Sequence, residues 1–198
     1  MEQVKNLNSY NSNFSMKKVF LILMLLSIGV CYAQKKAPLT NTVIVYMSRH
    51  GTTEKVAGMI KDSIKNEPVT IINLEKHRNP DVSKCDLILI GGSFHVGKIQ
   101  KEVRKFCVKN EKLLLTKNIG LFVCGMFTGD ELQKEFNNAF SEKLRNHAKA
   151  IGFMGYELYF EKMDPVTRKL MKKMNGVTQN VYKINYENIK RFVADIKK

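Results

Sequence analysis

Short apolar runs alternate with longer amphipathic segments from residue 42 to the end of the chain. The apolar runs predict strands over residues 42–47, 69–74, 86–90, 119–124 and 153–160. Apolar residues at helical spacing predict helices over residues 54–64, 98–116, 130–151 and 185–197. Continuous apolar strands that alternate with amphipathic helices are typical of a parallel sheet covered on both faces. The pattern therefore predicts an α/β fold, a doubly wound parallel sheet of about five strands in a single domain.

The N-terminal part of the chain has a different pattern. Residues 1–15 are polar and aperiodic, and they would be absent from the protein if translation starts at Met16. Residues 16–33 combine two lysines, an apolar run and small residues at the end, which is the layout of a secretory signal peptide. The apolar run is shorter than the ~20 residues that span a bilayer. We therefore expect a linker at 34–41, a domain at 42–198, and a protein that is exported to the periplasm or membrane-associated rather than cytoplasmic.

The composition is that of a globular protein with a strongly basic surface. The 198 residues include 33 Lys and Arg against 18 Asp and Glu, a formal net charge of +15. Without residues 1–33 the net charge is still +13, which favours an acidic partner or an anionic membrane. The three cysteines after the signal segment form no CxxC motif and have no histidine at ligand spacing, so no metal site is predicted. We expect Cys107 and Cys124 to be buried, because both lie in apolar periodic segments.

The loop after the first strand carries the clearest candidate chemistry. It consists of Ser48, Arg49, His50, Gly51, Thr52 and Thr53, and a helix follows at once. Free amides, the helix dipole and short hydroxyl side chains suit a bound phosphate, although a simple capped helix explains the same residues. The chain has no GxGxxG and no GxxxxGK[ST] motif, which disfavours dinucleotide-binding and P-loop proteins.

Three segments resemble known flavoproteins. The segment YMSRHGTTEKVA is similar to the FMN-phosphate loop of flavodoxins, in which Ser48, Gly51 and Thr53 match the usual pattern. The segment ILIGGSFHVGKIQKEVRKF resembles the flavin loop after the third strand, most closely that of the flavodoxin-type menaquinone-dependent protoporphyrinogen IX oxidases. The segments KMDPVTRKLMKKMNG and VYKINYENIKRFVADI resemble the C-terminal part of the same family. The resemblance spans residues 42–198 and implies a flavodoxin-like sheet of order 2-1-3-4-5 with FMN as cofactor.

The resemblance also assigns roles to the loops. It implies that the first loop, Ser48 to Thr53, holds the FMN phosphate. It implies that two further loops contact the flavin ring, through Gly92, Ser93, Phe94, His95, Gly97, Gly125, Met126 and Phe127. Phe94 is alternatively a local core residue, and Asp130 is explained equally well as a helix N-cap. No catalytic side chain is required, because the flavin carries the chemistry, but His50 and His95 are candidates for proton transfer.

A basic amphipathic segment lies at residues 164–174. Asp164 is predicted to cap a helix that begins at Pro165 and ends before Gly176. Apolar residues fall along one side, and the charge comes from Arg168, Lys169, Lys172 and Lys173. Such a helix suits an anionic membrane surface, and the alternative is a solvated helix packed on the sheet edge. No nucleic-acid partner is expected, because clustered aromatics for base stacking are missing from the segment.

Three functions follow as hypotheses. The first is an FMN-dependent oxidoreductase that takes electrons from a porphyrinogen-like donor and passes them to a quinone-like acceptor. The second is a non-catalytic flavodoxin electron carrier, although carriers of this kind resemble acidic proteins and this chain is basic. The third is a cofactor-free module that binds an anionic membrane or an acidic partner.

Overall fold

The structure, a computed structural model, describes residues 41–65, 68–95 and 97–198. The predicted extension and signal segment, and all but the last residue of the predicted linker, lie outside the described residues. The strands are β1 (Thr42–Tyr46), β2 (Val69–Asn73), β3 (Leu87–His95), β4 (Lys98–Ile99), β5 (Asn118–Cys124), β6 (Ala150–Phe153), β7 (Gly155–Leu158) and β8 (Val181–Ile184). Five of them form a parallel sheet of order β2-β1-β3-β5-β6, with β4 antiparallel to β3.

The helices cover both faces of this sheet. They are α1 (Thr52–Ser63), α2 (Lys101–Leu114), α3 (Gly129–Ala139), α4 (Glu142–His147), α5 (Pro165–Asn175) and α6 (Tyr186–Ile196). Buried residues of α2, α3 and α4 form one apolar cluster with the sheet, and buried residues of α1 and α6 form the other. Successive strand residues lie in opposite clusters, as Val43 and Ile44 of β1 do. The predicted doubly wound α/β sheet and its order are therefore confirmed.

The prediction of a single helix over residues 130–151 is wrong. The segment forms α3, α4 and the edge strand β6 instead. Phe140 has extended backbone angles, and the Ser141 hydroxyl accepts a hydrogen bond from the Leu144 amide, so a new helix begins there. Phe140 and Leu144 both lie in the core, so the apolar residues keep a helical spacing across the break. This spacing led to the prediction of one continuous helix.

The predicted final strand at 153–160 is also in the wrong place. The fifth strand of the sheet is β6, which pairs with β5, whereas β7 pairs antiparallel with β8 in a separate hairpin. Gly155 separates β6 from β7 with a φ of 76°, and a Cβ there would lie 1.9 Å from the Lys183 carbonyl oxygen. Only glycine allows the chain to leave the sheet this close to β8.

Two strand–helix boundaries differ from the prediction for a common reason. The sequence predicted that the third strand ends at Ile90 and that the next helix begins at Lys98. In the structure β3 continues to His95 and pairs with β4, so α2 begins at Lys101. The added strand residues lie at the candidate site.

Helix α5 lies in the connection between β7 and β8, and its predicted ends are confirmed. The Asp164 carboxylate accepts from the amides of Val166 and Thr167, Pro165 is the first helical residue, and Gly176 ends the helix in the left-handed conformation. None of the residues of α5 is buried. This exposure agrees with the alternative of a solvated helix, and it leaves both the membrane interpretation and that alternative open. None of the helices in the described part of the chain is long and apolar enough to span a bilayer.

Candidate functional site

The first loop turns sharply into α1. The Gly51 amide donates a hydrogen bond to the Ser48 hydroxyl at 3.1 Å, and the Gly51 carbonyl accepts from the Lys55 amide at 3.0 Å. Gly51 has a φ of 90°, a conformation that other residues rarely adopt, and a Cβ there would meet open space. The helix consequently begins at Thr52, two residues before the predicted start.

The start of α1 has unused hydrogen-bond donors. The amides of Thr52, Thr53 and Glu54 have no acceptor within the helix, because the first turn lacks preceding carbonyls. The Thr53 hydroxyl is buried and makes no hydrogen bond of normal geometry, and the Cys124 thiol is a polar group beside it. An open space over Gly51, free amides and an unsatisfied hydroxyl together fit an anionic group such as a phosphate monoester.

The second loop is a hairpin held by side chains. The Ser93 amide donates to Oε1 of Gln100 at 2.8 Å, and Nε2 of Gln100 donates to the Ser93 hydroxyl at 2.5 Å. A Cβ at Gly92 would lie 2.7 Å from the Ile99 side chain. Gly92 and Ser93 therefore shape the β3–β4 hairpin, and Gly97 makes its turn. The sequence analysis did not single out Gln100, whose spacing from Ser93 carries no recognisable signal.

The second and third loops meet through aromatic rings. Phe94 and Phe127 have ring centroids 5.7 Å apart, and a Cβ on Gly125 would lie 3.1 Å from the Phe94 ring. Phe94 is half-buried and also packs on the core cluster, so the local core interpretation describes it in part. Met126 and Phe127 are half-buried beside it. The predicted N-cap at Asp130 is wrong, because Thr128 occupies that position and Asp130 lies in the first turn of α3.

The first and second loops meet through two histidines. The rings of His50 and His95 have centroids 6.3 Å apart, and both residues are exposed. Partial burial of its ring, the charge of Arg49 and the proximity of His95 lower the pKa of His50. The loops after β1, β3 and β5 therefore converge at one edge of the sheet, where ligands of such folds bind. His77 and His147 are exposed elsewhere, as predicted.

A buried carboxylate next to the first loop was missed by the sequence analysis. Glu157 of β7 has a side chain only 3% exposed and forms an ion pair with Lys55 of α1, Nζ to Oε1, at 2.6 Å. The Tyr159 hydroxyl donates to its other oxygen at 2.8 Å. Burial favours the neutral acid, but hydrogen bonds from Lys55 and Tyr159 and the Lys55 charge outweigh it, and the pKa of Glu157 is lowered. The signal in the sequence was a lone acid in the otherwise apolar and aromatic run GYELYF.

The described residues also include a surface concavity and two buried thiols. A concavity of about 550 Å³ lies beside β2 and is lined by Thr70 to Ile72 and His77 to Asp81, none of them a predicted site residue. Cys107 and Cys124 are buried as predicted, and burial raises the pKa of each thiol to about 12. Among residues 41–65, 68–95 and 97–198, no three His, Cys, Asp or Glu residues are grouped as metal ligands.

Comparison with known proteins identifies relatives of this arrangement. A family model described as a flavodoxin domain matches residues 43–183. The two-electron reduced flavodoxin of Megasphaera elsdenii is 17% identical with a TM-score of 0.52, over 79% of this chain and 99% of that chain. Oxidised flavodoxin 1 of Bacillus cereus is 16% identical with a TM-score of 0.50, over 80% of this chain and 97% of that chain. A short-chain flavodoxin associated with a non-canonical PDU bacterial microcompartment is 18% identical, with a TM-score of 0.51 over 80% and 97%. No curated protein matches the sequence.

Proposed function

Because the chain belongs to the flavodoxin domain family, we propose that it is a redox protein that binds FMN where its three loops meet. The observation that carries this proposal is the turn from Ser48 to Thr53. It combines an open left-handed glycine with the free amides of a helix start and a buried, unsatisfied hydroxyl. Bound FMN supplies one- and two-electron transfer chemistry, which no side chain of this site provides.

The residues of the three loops have separate tasks in this proposal. The first loop holds the phosphate through its amides and the Ser48 and Thr53 hydroxyls. The hairpin with Ser93 and His95, and the third loop with Met126 and Phe127, border the flavin ring and exclude water from it. The Phe94–Phe127 contact fixes these two loops relative to each other. His50 and His95 are positioned to exchange protons with solvent at this edge.

The first test is flavin binding by the purified protein. We expect flavin absorbance after native purification, and tight FMN uptake by the flavin-free protein. Gly51→Asp places a carboxylate at the phosphate turn, so we expect at least about ten-fold weaker FMN binding from charge repulsion and lost backbone geometry. Gly176→Asp is the matched control, because Gly176 has a φ of 64° and equally open surroundings at the end of α5. Failure of the wild type to take up FMN would refute the proposal.

For the redox partners, we propose a porphyrinogen-like donor and a quinone-like acceptor. The support is the resemblance of the segment at residues 88–106 and of the C-terminal segments to the oxidase family. A carrier function makes a different prediction, because a carrier is reduced and reoxidised only by partner proteins. Steady-state oxidation of protoporphyrinogen IX with a menaquinone analogue distinguishes the two. Lack of turnover in a protein that holds FMN would favour the carrier.

For the location of the acceptor, we propose that α5 lies on an anionic membrane surface. Val166, Leu170 and Met174 recur every fourth residue and are 78%, 52% and 71% exposed, so the apolar side of this helix faces solvent. Lys169, Lys172 and Lys173 are exposed on the same helix. The fourth predicted cation, Arg168, donates to the carbonyls of Met163 and Glu161, so it also fixes the approach to the helix.

Vesicle flotation tests the membrane proposal. We expect binding to vesicles of phosphatidylglycerol and phosphatidylcholine, and little binding to phosphatidylcholine alone. Replacing Lys169, Lys172 and Lys173 by Gln should abolish binding, whereas the same change at Lys105, Lys109 and Lys112 of α2 should reduce it only slightly. Equal loss in both triple variants would show that general net charge, not α5, determines binding. The intact mass of the natively purified protein tests export, since cleavage after Ala33 is the expected outcome.

A further inference from the structure

The hairpin β7–β8 contacts the candidate site from outside the sheet. The Thr52 hydroxyl donates to the Glu157 carbonyl oxygen at 3.3 Å, and Lys55 donates to the Glu157 carboxylate at 2.6 Å. Thr52 and Lys55 are three residues apart and lie on the same side of α1. One residue of the hairpin is therefore joined to the first turn of α1 at two points.

The same hairpin also contacts the third loop. The Gly125 amide donates to the Gly155 carbonyl oxygen at 3.0 Å, and Gly155 lies two residues before Glu157 on the same strand. Strand β7 thus connects the loop that follows β1 to the loop that follows β5. The contacts to β7 use two side chains of α1 and the Gly125 amide, so the backbone amides at the start of α1 stay unused.

The buried position of Glu157 needs an explanation, because an apolar residue could be buried there without the same cost in free energy. Desolvation of a carboxylate opposes burial, and replacing a buried ion pair by apolar residues is often neutral or stabilising. An apolar side chain, however, would give α1 no directional contact. The ion pair and the Tyr159 hydroxyl hold the carboxylate in one orientation, and this orientation fixes Lys55.

We infer that Glu157 is a positioning residue for the proposed ligand site. Through Lys55 and Thr52 it fixes the rotation and direction of the first turn of α1, so that the amides converge on one anion. This inference rests on the proposed FMN binding and adds a residue outside the three loops that determines the affinity for the phosphate.

A purely electrostatic role for Glu157 predicts the opposite change in FMN affinity when its charge is removed. If Glu157 acted only as a negative charge near the phosphate, its removal would tighten FMN binding and removal of Lys55 would weaken it. Positioning predicts that both single changes weaken binding, because either one breaks the same contact. It also predicts that riboflavin, which lacks the phosphate, is affected much less.

The experiment compares Glu157→Gln, Lys55→Met and the double variant in the full-length, flavin-free protein. Kd values for FMN and for riboflavin are measured by flavin fluorescence quenching. We expect each single change to weaken FMN binding about ten-fold, as for loss of one charge-assisted contact, and the double variant to be no weaker than the worse single variant. Riboflavin affinity should change by less than about two-fold, which is the scatter between independent sites.

Glu187→Gln is the matched control, since Glu187 forms an exposed ion pair with Lys190 on α6 and should leave both affinities unchanged. Tyr159→Phe, which removes only the hydroxyl that orients the Glu157 carboxylate, should weaken FMN binding selectively even if Glu157→Gln fails to fold. Tighter FMN binding by Glu157→Gln, unchanged FMN affinity in Lys55→Met and Tyr159→Phe, or equal losses for FMN and riboflavin would each overturn the inference. A wild type that binds neither flavin would refute the proposed function itself, and the inference with it.

Discussion

At the residue scale, the paired histidines show how two loops influence each other. The pKa of His50 is lowered first by partial burial of its ring, then by Arg49 and by His95. A lowered pKa means that the folded protein binds fewer protons than the unfolded chain between the folded-state pKa and the ordinary histidine value of 6.5. The folded state therefore gains stability from His50 as the pH rises through this window.

His95→Gln should raise the pKa of His50 and leave it below 6.5, because burial and Arg49 remain. The measurement is a titration of the histidine ring protons by NMR, with His77→Gln as the control from an exposed loop. An unchanged midpoint for His50 in His95→Gln would show that the two loops do not interact electrostatically.

Two glycines provide a second prediction at this scale. A Cβ at Gly91 would lie 2.0 Å from the Phe122 ring, which is buried in the core. Gly91→Ala should therefore lower the free energy of unfolding by about 1–3 kcal/mol through overpacking. Gly58→Ala in α1, where nothing lies within 4 Å, should raise it by about 0.5–1 kcal/mol. Urea denaturation of both variants gives the comparison, and equal midpoints would contradict the packing of β3 against β5.

At the element scale, the central strands of the sheet were easier to predict than the edge strand β6 and the β7–β8 hairpin. The buried strands of the sheet are short and apolar throughout, so their sequence alone indicates them. The β7–β8 hairpin is half-exposed, and β8 has two adjacent exposed residues between a half-buried and a buried one, so it shows no alternation. Its position depends on Gly155, which must approach the Lys183 carbonyl, and on Glu157, whose partners are about 100 residues away. Contacts of this range leave no local periodicity in the sequence.

The hairpin gives a pH prediction. The pKa of Glu157 lies below the ordinary glutamate value of 4.5, so the ionised carboxylate stabilises the folded state above that pH. This stabilisation is lost as the pH falls from 4.5 through the folded-state pKa. The free energy of unfolding should therefore decline more steeply with acid in the wild type than in Glu157→Gln. Parallel acid-unfolding curves, followed by circular dichroism, would show that the ion pair contributes nothing.

At the scale of the whole molecule, charge distinguishes this protein from an acidic electron carrier. The net charge of +15 attracts anions at low ionic strength and repels cations. Composition gave the net charge, and the sequence pattern also placed the four cations on α5, whereas the exposure of its apolar residues required the structure. The convergence of the three loops also followed from the fold, because parallel strands end at one edge. The contacts among His50, His95, Phe94 and Phe127 required coordinates.

The FMN-loaded and reduced protein should consequently discriminate between small oxidants by their charge. We expect the rate constant with anionic ferricyanide to fall as salt is added, and that with cationic hexaammineruthenium(III) to rise. Stopped-flow kinetics at several ionic strengths provide the measurement, and a neutral quinone is the control. The same salt dependence for both ions would mean that the net charge does not act at the flavin.

The insertion of α5 between two neighbouring antiparallel strands has an evolutionary consequence. The connection that contains α5 begins and ends at paired strands, so it can be shortened, lengthened or exchanged without changing the strand order of the sheet. Changes in the length or charge of α5 can therefore accumulate during evolution without altering the strands that carry the three loops.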